Sequence, residues 1–290
     1  MKKFLFIALI VVLLLSFVGC APPSQDGMPV ILLTDYGYDD YRVPRLKGII
    51  YNTYPDVEMI DATHGITGMD VATGAYILDL TAKEFPANVI FVAGVGSPAS
   101  EDVQYLVLLT EKDQIFVAAN NGLLTNVIND FGIKKLYSIT NTGLYDRPEN
   151  MLSSHYILGR VAALIASGRS LADVGPEVSN PVMLDIQKVT VANNVIQGSV
   201  VFIDHFGSCL TNISGADCAQ AGLAVGDTLK VTINGQTISV KFGVTYSSVA
   251  EGEAVAFINS LDFFQLSRNM ASFASTYNLS TGTRVEITKQ

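Results

Sequence analysis

The sequence predicts a layered α/β domain with a mostly parallel sheet, followed by a small all-β barrel. Three observations carry this. Residues 29–185 alternate short β-branched runs with stretches of helical period, whereas residues 186–290 change to strands joined by tight turns. Of the 290 residues, 49% are hydrophobic and 16% charged, which excludes a disordered chain and supplies ample apolar surface for two cores.

Ahead of both domains, Met1-Lys2-Lys3 is a short cationic region, Phe4–Leu15 an uninterrupted apolar run, and Phe17-Val18-Gly19-Cys20 a small-residue site ending in cysteine. Gly19, Cys20 and Pro22-Pro23 break the run before it reaches the roughly 20 residues that a spanning helix needs. The pattern resembles a bacterial lipoprotein signal, with residues 1–20 removed and Cys20 becoming the lipidated first residue. An uncleaved N-terminal anchor is the alternative. Both readings place the folded part outside the cytoplasm, held to a membrane through residues 21–28, whose Pro, Ser and Gly suit a linker.

In the first domain, Val30–Thr34 reads as a buried strand, and a helix follows from about Pro44 to Tyr54, ended by Pro55. Val57–Asp61 is a second strand. Asp70 then caps a helix with Val71, Ala75, Leu78 and Ala82 on one face. Further strands fall at Val89–Ala93, Tyr105–Leu109, Ile115–Ala118 and Leu136–Ile139, and a last helix runs from about Ser154 to Ser167, stopped by Gly168. In the second domain, Asn193-Asn194 and Asn234-Gly235 are hairpin turns, and strands are expected at Ile196–Asp204, Thr228–Ile233, Thr237–Phe242, Ala254–Asn259 and Arg284–Thr288.

With 18 Lys+Arg against 27 Asp+Glu, the net charge is −9, and loss of residues 1–20 deepens it to −11. A nucleic-acid binder neutralises phosphates with clustered cations, so this balance argues against nucleic acid as a partner. Neither a CxxC pair nor a Cys/His quartet is present, so no metal site is expected. Cys209 and Cys218 stand nine residues apart, and a disulfide and two buried thiols are equally open. A GxSxG elbow is absent, and Gly94-Val95-Gly96 lacks the third glycine of a dinucleotide site.

Ligands of open α/β sheets bind beyond the C-terminal ends of the strands. Asp35 stands there after the first strand and Asp61 after the second, followed by His64. A carboxylate so placed can accept two hydrogen bonds from a ribose diol, or can merely cap a turn. His64 is read as ordering the backbone, and Asp39 and Asp40 as beginning the next helix at its positive end.

Five segments in order, Thr34-Asp35-Tyr36-Gly37, Asp61-Ala62-Thr63-His64-Gly65, Asn121-Gly122-Leu123-Leu124-Thr125, Asp204-His205-Phe206-Gly207 and Thr211-Asn212-Ile213, resemble the S-adenosylmethionine hydroxide adenosyltransferase family, whose relatives include fluorinases and chlorinases. The resemblance extends from residue 30 to the C-terminus. It implies an α/β domain, a β-barrel, and a homotrimer with sites between the first domain of one subunit and the barrel of the next. It also implies an adenosine-containing ligand, no cofactor, and displacement of methionine from the ribose 5′-carbon of S-adenosylmethionine by water or halide.

Carried over by residue, Asp35 matches the ribose-binding aspartate, Asp204 the aspartate at the amino-acid part of the substrate, and Phe206 the aromatic against adenine. Ser208 replaces an adenine-binding Asn, Ser260 follows Asn259 at the methionine-carboxylate position, and Met270 replaces an Arg. The hydrolase branch also carries an Asp-Arg-His set. Here its Asp loop becomes Gly96-Ser97-Pro98-Ala99-Ser100, its Arg falls within residues 101–104, and its His is Ser153, with His155 two residues on and expected on another helical face. Ser97, Ser100 and Ser153 are therefore the candidate catalytic replacements. Two readings stay open: water is still positioned and S-adenosylmethionine is hydrolysed, or the fold survives as an inactive nucleoside- or solute-binding lipoprotein. With no arginine at Met270, a neutral or cationic ligand is expected.

Overall fold

The computed structural model describes residues 27–97 and 103–290. Cys20 and Ser100 lie outside the described residues. The first domain begins with β1 (Val30–Thr34), wholly buried. It continues through α1 (Arg42–Thr53), β2 (Met59–Thr63), α2 (Val71–Glu84), β3 (Ile90–Gly94), β4 (Tyr105–Leu109), β5 (Ile115–Ala119), α3 (Thr125–Phe131), β6 (Lys135–Ser138) and α4 (Ser154–Ala166). Among the described residues these strands form one sheet in the order β2-β1-β3-β5-β4-β6. Neighbours from β2 to β5 are parallel, and β4 runs antiparallel to both its neighbours.

Strand alternation explains the layering. Val30, Leu32, Ile90, Val92 and Val117 face α1 and α4 on one side. Ile31, Leu33, Phe91, Ala93 and Phe116 face α2 and α3 on the other. The approach of α4 to α1 depends on Gly159, where a Cβ would come within 2.8 Å of Leu46 Cδ1. Since β1 is flanked by β2 and β3, the connection α1 leads one way and α2 returns across the sheet. The switch point of the fold therefore lies between the C-terminal ends of β1 and β3, the place where open α/β sheets leave a crevice.

Element ends differ from the sequence expectation for identifiable reasons. The first helix starts at Arg42, two residues before Pro44, because Asp40 Oδ1 accepts from Arg42 N at 2.7 Å. Pro44 then sits in the first turn, whose N–H groups have no intrahelical acceptor. The second strand is Met59–Thr63, since its register pairs Met59 with Val30 and Thr63 with Leu33. Asp70 caps α2 as expected, its Oδ1 accepting from Thr73 N at 3.0 Å. Gly168, at φ 97°, stops α4.

The second sheet comprises β7 (Thr190–Ala192), β8 (Val195–Ile203), β9 (Cys209–Ser214), β10 (Thr228–Ile233), β11 (Gln236–Phe242), β12 (Ala254–Ile258), β13 (Phe263–Arg268) and β14 (Arg284–Lys289), with short helices α5 (Gly215–Gln220) and α6 (Phe273–Tyr277). Pairing of β14 with β8 closes the barrel, and β7 is added to the outside of β8. Both hairpin turns have the positive φ that their asparagines and glycine suit, 50° and 62° at Asn193-Asn194 and 48° and 74° at Asn234-Gly235. The barrel meets the first domain through Tyr76 of α2, whose ring stacks on Phe202 at 6.1 Å.

Cys209 and Cys218 are free and buried in the barrel core. Burial pushes both thiols up to about 12. Native protein is therefore expected to resist alkylation of either thiol near neutral pH, and both should react in denaturant. Mass spectrometry after alkylation without reductant checks this, and a bridged pair would show as two unmodified cysteines even after unfolding.

Candidate functional site

Thr34 ends β1 fully buried, and Asp35 follows at the sheet edge, partly exposed. Its Oδ2 accepts two backbone N–H groups, Met69 at 2.9 Å and Gly96 at 3.0 Å, so one carboxylate oxygen holds the loops after β2 and after β3 together. Oδ1 has no hydrogen-bond partner among the described residues and remains available to a diol. Both loop residues have positive φ, 65° at Met69 and 62° at Gly96. Asn121 holds the second loop from the other side, its Nδ2 donating to the Val95 and Gly96 carbonyls, each at 3.0 Å. That gives the Asn-Gly motif after β5 a structural task the sequence did not specify.

His64 and Asp61 are engaged locally. The His64 ring is buried, with Nδ1 2.8 Å from Thr34 Oγ1, and its backbone carbonyl accepts from Gly37 N at 2.8 Å, so it orders the turn after β1 as the sequence suggested. His64 Nε2 lies 3.2 Å from Asp61 Oδ1. Partial burial alone would raise Asp61, yet the Lys47 ammonium at 2.6 Å and the nearby imidazole outweigh it and hold the carboxyl below its usual range.

Beyond Asp35, Ser97, Ser153 and His155 line one open cleft of about 1230 Å³, between the first turns of α1 and α4. Ser97 Oγ is buried with no hydrogen-bond partner among the described residues. The expected separation of His155 from the position of Ser153 is corrected by the structure. Ser153 precedes the first helical residue in extended conformation, so the 100° helical step does not apply, and His155 Nε2 reaches Ser153 Oγ at 3.0 Å. The Tyr36 ring meets the His155 ring edge-on at 6.4 Å, joining the Asp35 turn to this cleft. Burial pushes the Tyr36 phenol up to about 12.

Cations that the sequence reading did not single out also stand here. Arg42 and Arg45, from the first turn of α1, line the same cleft. The sequence reading began that helix at Pro44 and singled out neither arginine; the signal available was two arginines at a helix start with no acidic residue in its first turn. Burial first, and then Arg45, Arg42 and Arg147, push His155 from 6.5 down to about 4.

In the barrel, Asp204 Oδ1 accepts from Phe206 N at 3.0 Å and Ser208 N at 2.8 Å, so this carboxylate folds its own loop. That loop presents Phe206 at 79% exposure while Ser208 is buried. Ser260 is exposed in the turn between β12 and β13, which Asn259 closes by accepting from Leu261 N and Phe263 N at 2.9 and 3.1 Å. Met270 is 82% exposed, and nearby Arg268 is bound to the Gly252 carbonyl through Nε at 2.8 Å. No hydrogen bond or ring contact joins the Asp204 loop or Ser260 to the Asp35 cleft among the described residues. Among them, too, no group of three or more His, Cys, Asp or Glu is placed to hold a metal, and no helix is long and apolar enough to cross a membrane.

A carboxylate and a pinned loop at the switch point of the sheet, with a closed barrel docked alongside, define a two-domain protein of an α/β domain and a β-barrel. The chain belongs to the SAM hydroxide adenosyltransferase family: residues 30–175 match the family's N-terminal domain and residues 198–286 its C-terminal domain. It is 31% identical to a fluorinase of Actinoplanes sp. (strain N902-109), covering 91% of this chain and 99% of the relative. It is 27% identical to an (R)-S-adenosyl-L-methionine hydrolase of Methanocaldococcus jannaschii, covering 89% and 95%. A solved structure, an uncharacterized conserved protein from Thermotoga maritima, superposes with a TM-score of 0.83 at 26% identity over 89% of this chain and 99% of that one.

The depressed His155 has a consequence for stability. The unfolded chain takes up a proton between pH 6.5 and about 4 that the folded chain refuses, so this contribution is complete above pH 6.5 and is lost as pH falls toward 4. Replacing His155 by Gln should flatten that part of the melting-temperature profile. Thermal melts across the window check it, and an unchanged slope contradicts the buried neutral imidazole.

Proposed function

We propose that this protein binds an adenosine-containing small molecule at Asp35 and the neighbouring cleft and hydrolyses S-adenosylmethionine to adenosine and methionine. The observation that carries the reading is the division of Asp35, with one oxygen holding two loops and the other offered to a ribose diol. Family membership supplies the substrate class.

Displacement at a sulfonium carbon needs little acid catalysis, because methionine leaves as a neutral thioether. Water oxygen forms the bond to the ribose 5′-carbon, the carbon–sulfur pair goes to sulfur, and the proton lost by water passes to solvent. The protein has to aim a partly desolvated water. Ser97 and the hydrogen-bonded Ser153–His155 pair line the cleft where that water would sit. Neutral His155 is suited to orient a water by accepting its hydrogen bond rather than to hold its proton.

A second reading has its own observation. None of the positions of the hydrolase Asp-Arg-His set keeps its residue, with Ser153 at the histidine position. On that reading the chain is an inactive nucleoside- or solute-binding lipoprotein. Export favours it, since S-adenosylmethionine is made inside cells.

Assembly as a homotrimer would bring the exposed Phe206 and Ser260 of one subunit, with Ser208 and Asp204, toward the Asp35 cleft of the next. Lipidation at Cys20 and an extracytoplasmic position belong to the same proposal.

Purified protein is expected to release adenosine from S-adenosylmethionine above the spontaneous rate. Asp35→Ala should weaken adenosine binding about 30-fold, the loss of about 2 kcal/mol of charge-assisted hydrogen bonding. Adenosine binding without release would support the second reading, and no binding of either compound would refute both.

A further inference from the structure

His64 holds the turn that carries Asp35 at two points. Its backbone carbonyl accepts from Gly37 N at 2.8 Å, and its ring Nδ1 lies 2.8 Å from Thr34 Oγ1, which accepts from Tyr36 N at 3.3 Å. Asp35 stands between Thr34 and Tyr36, and its own N–H goes to the Gly94 carbonyl at 3.2 Å. On the far side of the ring, Nε2 is closed to water and meets Asp61 Oδ1 at 3.2 Å, with no other polar atom bonded to it among the described residues. Asp61 Oδ2 accepts from Lys47 Nζ at 2.6 Å. One line of polar groups therefore runs from the surface of α1, across the edge strand β2, to the end of β1.

The groups along this line leave one arrangement of protons that satisfies them all. Asp61 is ionised: against the upward push of partial burial, the Lys47 ammonium and then the imidazole hold its carboxyl below the usual range. A carboxylate only accepts, so a proton on Nε2 faces it favourably, whereas a bare Nε2 lone pair would face a negative charge away from water. With Nε2 protonated in a neutral ring, Nδ1 is the acceptor and the Thr34 hydroxyl the donor. Thr34 Oγ1 keeps a lone pair for the Tyr36 N–H. The reverse tautomer would point the Nδ1 proton at Thr34 and leave the hydroxyl proton of that fully buried residue without an acceptor.

We propose that Lys47, Asp61, His64 and Thr34 form a positioning relay: the Asp61 charge fixes the Nε2–H tautomer of His64, the ring orients the Thr34 hydroxyl, and that hydroxyl sets the Tyr36 amide and with it the direction of the Asp35 carboxylate. The relay rests on these contacts alone, and its consequence for a ligand rests on the adenosine reading of Asp35. All four residues act through the Asp35 turn. Lys47 and Asp61 are 33% and 40% exposed, so their ion pair by itself stabilises the fold little, and its effect on the ring gives it a task.

Long-range proton–nitrogen correlation spectra of the His64 ring test it, recorded at about pH 8, above the ordinary range of an imidazole. Hydrogen exchange at the Tyr36 amide and titration with adenosine accompany them. The wild type should show a single tautomer with Nε2 protonated. Asp61→Ala should admit the Nδ1–H tautomer, speed exchange at Tyr36 and weaken adenosine binding about tenfold, the loss of roughly one buried hydrogen bond. Asp61→Asn, whose amide oxygen can still accept, should restore part of each effect. Thr34→Val keeps the shape and removes the hydroxyl, so it should match Asp61→Ala in exchange and affinity, while Thr34→Ser should behave as the wild type. Asp61 stands on an exposed edge, so its variants decide the matter if Thr34→Val does not fold. An Nδ1–H tautomer in the wild type, or unchanged Tyr36 exchange in Asp61→Ala, overturns the proposal. Faster Tyr36 exchange with unchanged adenosine affinity also overturns it, since the relay would then stop short of Asp35. If adenosine does not bind the wild type at all, the nucleoside reading fails, and the ring spectrum and Tyr36 exchange still decide the relay.

Discussion

Oδ2 of Asp35 accepts the backbone N–H groups of Met69 and Gly96, two residues that the chain separates from it by 34 and 61 positions. A carboxylate accepting two amides is a strong arrangement, because each bond is charge-assisted. Here it closes the crevice at the switch point between β1 and β3, where the backbone turns through positive φ at both donors. The loop after β3 is shaped by this oxygen, by Asn121 on the other side, and by Gly96 itself, whose Cβ would collide with Val71. The other Asp35 oxygen, the Ser97 hydroxyl and the rim of the cleft all take their positions from that constraint.

The barrel uses the same device for a different end. Asp204 Oδ1 accepts two amides of its own loop, and the tight turn at Gly207, with φ 82°, lets the chain pass close to Ser272. The result is an aromatic ring, Phe206, held out at 79% exposure by a rigid loop. Within one described chain this ring and Asp35 do not touch.

Much of the fold was legible because it depends on short-range rules. Buried strands announced themselves as β-branched runs, Asp70 as a cap, Gly168 as a stop and Asn234-Gly235 as a hairpin, and each of these is decided within a few residues. What the sequence hid depends on long-range pairing. The reversal of β4 is set by its two neighbours, and α3, β9 and β13 lack a period strong enough to stand out alone. In the site, Asp35 was legible as a strand-end carboxylate, but its bonds to Met69 and Gly96 were not. The nearness of His155 to Ser153 was missed because a helical step was applied across the pair, while the extended backbone of Ser153 lets the ring fold back. Arg42 and Arg45 were missed because the helix was read as starting at Pro44, which left Arg42 in the preceding loop and said nothing of what the first turn shows to the sheet edge.

The central claim is that the Asp35 carboxylate organises the switch-point loops. Residue-resolved hydrogen exchange on the Asp35→Ala protein tests it most directly. The Met69 and Gly96 amides should lose their protection together while the β10–β11 hairpin of the barrel keeps its own. Unchanged protection at both amides would contradict the account, since the loops would then be held by something other than this one oxygen.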